Sequence, residues 1–372
     1  MAEMYFMGPA RVLRRATPVR CKDEGKELQD LLQANPALLA GEQIEPEEPR
    51  RWLLIRREMS VPDPTTGAAR WAIDFLFIDQ DATLTFVECK RYDDTRSRRE
   101  VISQVIDYAA NAARLWTKEQ LLAAASSQAL IDNTTVDAGV ARLGGSYSDA
   151  STLLQAAADK LARNDIRIIL FMEEAPPELK TIVEFMNKEM STVELLLVEA
   201  RMYDVQGMTV VAPRLWGFTE QVRQQKLAIA EAMGTRRHWD EPSFFAALDK
   251  HISDESQRDA VRKIYAGLPA YGYSFKWGTG SFSGSFNARS PASGDLALIT
   301  VRTDGTLTAQ FGNFAAPEKT PLREALAGTI RNAGLPVSDD YAKRYVNYRI
   351  SDWAQNVDAL LSGLSQLAKC QT

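Results

Sequence analysis

The chain has 372 residues, enough for two or three domains of ordinary size, and its 45% hydrophobic and 25% charged content is that of an average soluble globular protein. No run of about 18 apolar residues occurs, so no membrane span is expected; the longest apolar stretches, "IRIILFM" and "VELLLVEA", are strand-length. The net charge of -5 argues against a surface coated in nucleic acid along its length, but a local basic cleft is compatible with it, because the potential that matters is local.

The N-terminal stretch "MAEMYFMGPARVLRRATPVR" has no continuous apolar segment of secretory type. It is rich in arginine and poor in acid, but lacks the serine bias of an organellar transit peptide. The three cysteines, Cys21, Cys89 and Cys370, are scattered and odd in number. That fits a reducing, cytoplasmic compartment with no disulfide framework and no zinc knuckle.

In chain order, residues 23–40 predict an amphipathic helix carrying Leu28, Leu31 and Leu32 and stopped by Pro36. "RRWLLIRREMSV" predicts a strand, followed by the turn-rich "PDPTTGAA". "RWAIDFLFID" and "ATLTFVECK" predict two apolar strands joined tightly through "QD", an antiparallel hairpin. Residues 95–116 predict a long helix with Val101, Ile102, Val105, Ile106, Ala109, Ala112, Ala113 and Trp116 on one stripe. Residues 131–150 lose periodicity and are expected to form an exposed, mobile insertion.

A helix over 151–162, the strand "IRIILFM" and a helix opening at "APPELK" come next. In that helix Ile182, Phe185, Met186 and Met190 form the expected core stripe. Two strands around Gly207 complete the region. This alternation predicts a mixed α/β sheet with helices packed on it. A domain over 1–216, a polar linker helix over 217–240 and an α+β domain over 241–372 are expected. In the last, "VRTDGTLTAQF" carries the Asp-Gly hairpin signal. "WGTGSFSGSF" lacks the Gly-Lys-Ser/Thr ending of a phosphate-binding loop. The alternating Tyr273, Phe275, Trp277, Phe282 and Phe286 read either as a hairpin with a flexible tip or as a base-stacking surface. His238, in "TRRHW", reads as a linker residue or a nucleic-acid contact.

The chemistry concentrates in "FVECKRYDDTRSRREVISQVIDYA", residues 86–109. Residues two apart on a strand share a face, so Glu88 and Lys90 project together and continue the apolar row of Leu84 and Phe86. Charges buried there need partners. The preceding strand brings Asp74 beside Glu88, and two facing carboxylates repel unless a divalent cation lies between them. Mg²⁺ suits two carboxylates plus substrate phosphate, and a lysine beside it would orient or deprotonate an attacking water. Taken singly, Glu-x-Lys is an ordinary surface ion pair and Asp74 a hairpin-end residue; together, before a basic helix start, they read as a site.

These residues resemble the PD-(D/E)xK nuclease superfamily: Ile73-Asp74, then Glu88-Cys89-Lys90 fourteen residues later, with Ile73 in place of the motif's proline. "QVIDY", Gln104 to Tyr108, resembles the QxxxY helix motif of its RecB-like branch. The resemblance covers about residues 24–215. It implies a restriction-endonuclease-like sheet, DNA as partner, and Mg²⁺ as cofactor with Mn²⁺ substituting. It further implies metal ligation by Asp74, Glu88 and the Cys89 carbonyl, with Lys90 as the catalytic lysine. Gln104 and Tyr108 would shape the site or touch DNA. A further glutamate from the first helix is implied, Glu27 with Glu24 as the rival. Arg91, Arg96, Arg98 and Arg99 would contact phosphates, or pair with Asp93, Asp94 and Glu100 on a solvated helix start. The two alternatives to a DNA-cleaving enzyme are a catalytically silent nucleic-acid-binding or sensing module and an RNA-directed nuclease. A homodimer, which would place two sites on a duplex, is compatible with the pattern.

Overall fold

A computed structural model of the chain describes residues 4–7, 11–46, 48–63, 65, 69–92, 97–147, 149–218, 220–232, 239–278 and 283–368. It divides into two compact units, residues 1–135 with 151–226, and residues 136–150 with 227–372. No described helix is long and apolar enough to cross a membrane.

The first unit is built on a mixed seven-stranded sheet. Its N-terminal part holds β1 (Tyr5–Met7), β2 (Leu13–Arg15) and β3 (Thr17–Val19), the first two paired to each other. Then a π-helical turn, Glu24–Gln29, leads into α1 (Asp30–Ala34) and, past a 3₁₀ turn, α2 (Gly41–Ile44). Three long strands follow as an antiparallel meander: β4 (Leu53–Pro62), β5 (Ala69–Ile78) and β6 (Leu84–Lys90). The turn between the last two is wound around Asp79, whose carboxylate accepts the N–H groups of Asp81 (3.0 Å) and Thr83 (2.9 Å).

After β6 come α3 (Ser97–Leu115) and α4 (Lys118–Ile131), the latter opened by a Thr117–Gln120 capping box. The chain then passes through α5 (Val136–Leu143) of the other unit and returns with α6 (Ala150–Ala162). It next enters β7 (Arg167–Met172), parallel to β6. α7 (Pro177–Glu189) crosses to β8 (Glu194–Val205), parallel to β7, and β9 (Met208–Trp216) returns antiparallel. The short β3 pairs with the far half of β8. One sheet face buries Phe75, Phe77, Val87, Cys89, Ile169 and Phe171 against Leu28 and Leu32 of the first helical segment. On the opposite face Phe86 stacks on Trp116 at 5.5 Å.

Three expectations are corrected. Residues 136–150 are no mobile insertion: they carry α5, and Gly144 and Gly145 offer carbonyls to Arg302 (2.8 Å) and Asn347 (3.1 Å) of the second unit's sheet. Gly144 has φ +60°, and a Cβ there would lie 2.3 Å from Tyr345 Cβ, so the glycine is what permits this approach. The buried stripe of α7 is Leu179, Val183 and Asn187, while Phe185 is exposed. Asn187 takes the interior because it ties two elements, donating to the Gly217 carbonyl (2.5 Å) and accepting from Leu195 N–H (3.0 Å). Finally, residues 23–40 are three helical pieces rather than one helix.

The second unit has a five-stranded antiparallel sheet, Ser274–Trp277, Ser285–Arg289, Ile299–Arg302, Leu307–Ala309 and Val346–Tyr348 in that order. Phe286, Val301 and Leu307 join one core with Phe244, Ile264, Ile330 and Leu360 from helices Glu241–His251, Glu255–Gly267, Thr320–Asn332 and Val357–Leu367. Phe275 and Trp277 pack against the same core, and Phe275 stacks on Tyr265 at 4.6 Å. Phe282 and His238 lie outside the described residues.

The most expensive burial in the first unit is Arg167, fully enclosed at the start of β7. It donates to Glu194 (2.7 Å) and Asp79 (2.9 Å), tying β8 and the β5–β6 turn to β7. Arg167→Ala leaves two buried carboxylates without their cation. It is therefore expected to cost about 3–5 kcal/mol in urea unfolding; a loss under about 1 kcal/mol contradicts this assignment.

Candidate metal and phosphate site

The β5–β6 ladder ends at Phe75 opposite Val87. One step further the register would pair Asp74 with Glu88, but here the Asp74 side chain takes over: its Oδ2 accepts the Cys89 N–H at 2.7 Å. A residue's N–H and C=O leave the same edge of a strand, so the Cys89 carbonyl also faces the Asp74 side. The Cys89 thiol points into the opposite, apolar face, where burial pushes it far above its ordinary range.

Glu88 is almost fully enclosed, 1% exposed. Its Oε1 accepts from Lys90 Nζ (2.8 Å) and from Gln104 Nε2 (2.8 Å). Its Oε2 is buried with no hydrogen-bond partner. A buried carboxylate oxygen left without a donor is costly, and a cation is one of the few groups that satisfies it. Gln104 also donates to the Tyr108 hydroxyl (2.8 Å), and that ring packs on Trp71 at 6.1 Å. The i, i+4 spacing on α3 thus turns Gln104 and Tyr108 toward the end of β6, where they fix the Glu88 carboxylate.

Burial is the largest influence on both carboxylates and raises both. Asp74 is pushed up to about 7, with the Glu88 charge adding to burial and the Cys89 hydrogen bond opposing it. For Glu88, Lys90 offsets part of the burial effect. Lys90 lies the other way: burial alone would lower it, but Glu88, Glu24 and Asp74 together raise it above its usual value. At neutral pH it is therefore a fixed cation that can orient a water or meet developing negative charge. Of the two roles expected for it, orienting a water is the one this direction favours.

Of the two helix-one glutamates, Glu24 is the one whose side chain reaches the end of β6. Glu24 Oε1 lies 3.5 Å from Lys90 Nζ, and its Oε2 accepts the Arg91 N–H at 3.1 Å. Glu27 turns back to accept the Lys22 N–H at 2.7 Å. The cause is the helix start: Asp23 caps it through Lys26 N–H (3.0 Å), and the first turn is π-helical. A spacing of 3.6 residues therefore misjudges which side chain faces the sheet. Arg91 spends its guanidinium on the Lys22 carbonyl (2.7 Å), holding the N-terminal segment against the end of β6. Arg96 lies outside the described residues, and only the backbone of Arg98 and Arg99, in the first turn of α3, is described.

Among the described residues no three His, Cys, Asp or Glu side chains form a ready-made metal cluster. Mg²⁺ needs none, since it keeps several waters and takes one or two carboxylates plus substrate oxygens. The donors here are hard oxygens, burial raises both carboxylates, and Glu88 Oε2 is buried without a hydrogen-bond partner. Asp74, Glu88 and the Cys89 carbonyl fit such an ion. Sequence reading missed a further charged group: Glu173 and Glu174 follow β7 immediately, just past Met172, which pairs with Lys90 in the β6–β7 register. The acidic pair in "FMEEAPP", at the end of an apolar strand, was the available signal. Comparison of the chain with protein-family models, curated proteins and solved structures finds no match.

A carboxyl raised in the fold holds its proton more tightly than in the unfolded chain, where it titrates near 3.9. The stability it contributes is complete below that value and is lost as pH rises through about 7. In metal-free protein the melting temperature is expected to fall across this window by the equivalent of a few kcal/mol at most. Asp74→Asn should flatten that fall, since an amide oxygen still accepts from Cys89 N–H but nothing titrates. Equal slopes in the two proteins contradict the shift.

Proposed function

We propose that the chain is a Mg²⁺-dependent nuclease that hydrolyses phosphodiester bonds in DNA, with Mn²⁺ able to substitute. The observation that carries this reading is Glu88 Oε2, buried and without a partner between Asp74 and Lys90. Further support comes from the order of elements: a first helical segment, an antiparallel three-strand meander, a helical crossover that begins with α3 and runs through four helices, and a parallel fourth strand. That order is the one implied by the restriction-endonuclease-like fold, to which we assign the first unit.

Asp74, Glu88 and the Cys89 carbonyl would hold the ion, which supplies Lewis-acid polarisation of the scissile phosphate and a more acidic water. Lys90, kept cationic by Glu88 and Glu24, orients the attacking water and stabilises the charge that grows on the phosphoryl oxygens. Gln104 is a positioning residue: by holding Glu88 Oε1 and the Tyr108 hydroxyl, it leaves Oε2 as the free ligand. The second unit, with its own core, serves substrate selection or assembly.

A catalytically silent nucleic-acid-binding module is the second reading, favoured by the 2.8 Å Lys90–Glu88 contact, which already neutralises one carboxylate. Incubation with single- and double-stranded DNA and with RNA, with Mg²⁺ or a chelator, separates the readings. The expected result is chelator-sensitive DNA cleavage. Asp74→Ala or Lys90→Ala should lower it about 100-fold or more, and Gln104→Ala about 10–100-fold. Wild-type-like cleavage in both the Asp74→Ala and Lys90→Ala proteins contradicts the assignment, and absence of cleavage in the wild type favours the silent module.

A further inference from the structure

Past the C-terminal end of β7 and along β3 and β8, the first unit has a cavity of ≈ 300 Å³. Pro18, Val19, Met4, Met202 and Tyr203 give it apolar walls, and Arg15, Arg20, Arg201, Glu173 and Glu174 line it with charge. Its links to the site run through the neighbouring strand and one ring contact. Met172 pairs with Lys90 in the β6–β7 register, so Glu173 comes one residue beyond the site. The Arg20 guanidinium lies 4.1 Å over the ring of Tyr92, two residues after Lys90. Crevices at the carboxyl ends of parallel strands are where α/β sheets take their ligands.

The polar groups are of both signs. Arg20 pairs with Glu174 (2.6 Å) and Glu173 (3.5 Å). Arg201 pairs with Glu174 (3.2 Å) and Glu199 (3.3 Å), yet its Nε is buried with no acceptor. Two carboxylates among three arginines suit a bare phosphate less well than an all-basic pocket, because they repel the ligand. A wholly apolar ligand would leave five charged groups desolvated against it. A nucleobase meets both conditions, with apolar faces for Met4, Met202 and Tyr203 and donors and acceptors around its rim. Guanine carries acceptors at O6 and N7, which match arginine, and an N2 amine beside N1–H, which matches a carboxylate. The volume is ample for one base.

We propose that this cavity receives a single unstacked base of the strand being cut, with guanine preferred, Arg201 donating to its O6/N7 edge and Glu174 accepting from its N1/N2 edge. The role as a strand-reading subsite rests on the nuclease reading; the binding itself does not. Opening the Arg20–Glu174 pair frees Oε2 while Arg201 keeps Oε1, and a base already outside a duplex enters at least cost.

The test is equilibrium binding of guanosine, inosine and adenosine monophosphates and of inorganic phosphate to the full chain, in chelator, so that no catalysis is involved. Guanosine monophosphate is expected to bind about tenfold or more tighter than the adenosine nucleotide and phosphate, with the inosine nucleotide between. Glu174→Gln should remove the preference. Val19→Trp, which fills the cavity without touching an ion pair, should abolish binding and guards against a misfolded Glu174→Gln protein. Equal affinity for phosphate and guanosine monophosphate, no saturable nucleotide binding, or unchanged preference in folded Glu174→Gln overturns the proposal. Metal-dependent cleavage alongside any of these leaves the nuclease reading standing; guanine-selective binding without cleavage does the reverse.

Discussion

The site depends on one interruption. The β5–β6 ladder stops at Phe75 and Val87, and the Asp74 carboxylate takes the next N–H, that of Cys89. Had the ladder continued, Asp74 would have been free to rotate away from Glu88, and the Cys89 carbonyl would have been spent on a strand partner. Because it stops, two acids and a carbonyl gather at a strand end with little water. Burial then raises both carboxylates above their ordinary values.

The surrounding structure fixes that gap from several sides. Phe75, Phe77 and Val87 seal the apolar face beneath it, and Phe86 on Trp116 locks α3 over the other. From α3, Gln104 holds one oxygen of Glu88 and leaves the other open. Glu24 and Arg91 close the end of β6 against the first helical turn. At the far end of the sheet Arg167 anchors β7 and β8 to the β5–β6 turn, so the strands that carry the acids share a rigid frame. Beyond β7, a cavity of mixed charge opens between the strand end and β3 and β8.

Much of this was legible in the sequence because it rests on local periodicity. Alternation put Asp74, Glu88 and Lys90 on apolar strands, and the i, i+4 spacing put Gln104 and Tyr108 on one flank of α3. What was not legible depends on remote partners. β1 to β3 are three residues each and exist only by pairing with one another and with β8. α5 is eight residues long and is ordered by a sheet more than 150 residues away. The π-helical first turn shifted the glutamate from Glu27 to Glu24, and Asn187 displaced Phe185 from the interior through two hydrogen bonds to distant backbone.

The most direct measurement is the anomalous difference map of a crystal grown with Mn²⁺. A peak is expected within about 2.2 Å of Glu88 Oε2, with an Asp74 oxygen and the Cys89 carbonyl completing the protein ligands. Saturating Mn²⁺ with no peak beside Glu88, and Glu88 Oε2 instead satisfied by water or by a shifted side chain, would contradict a metal site here.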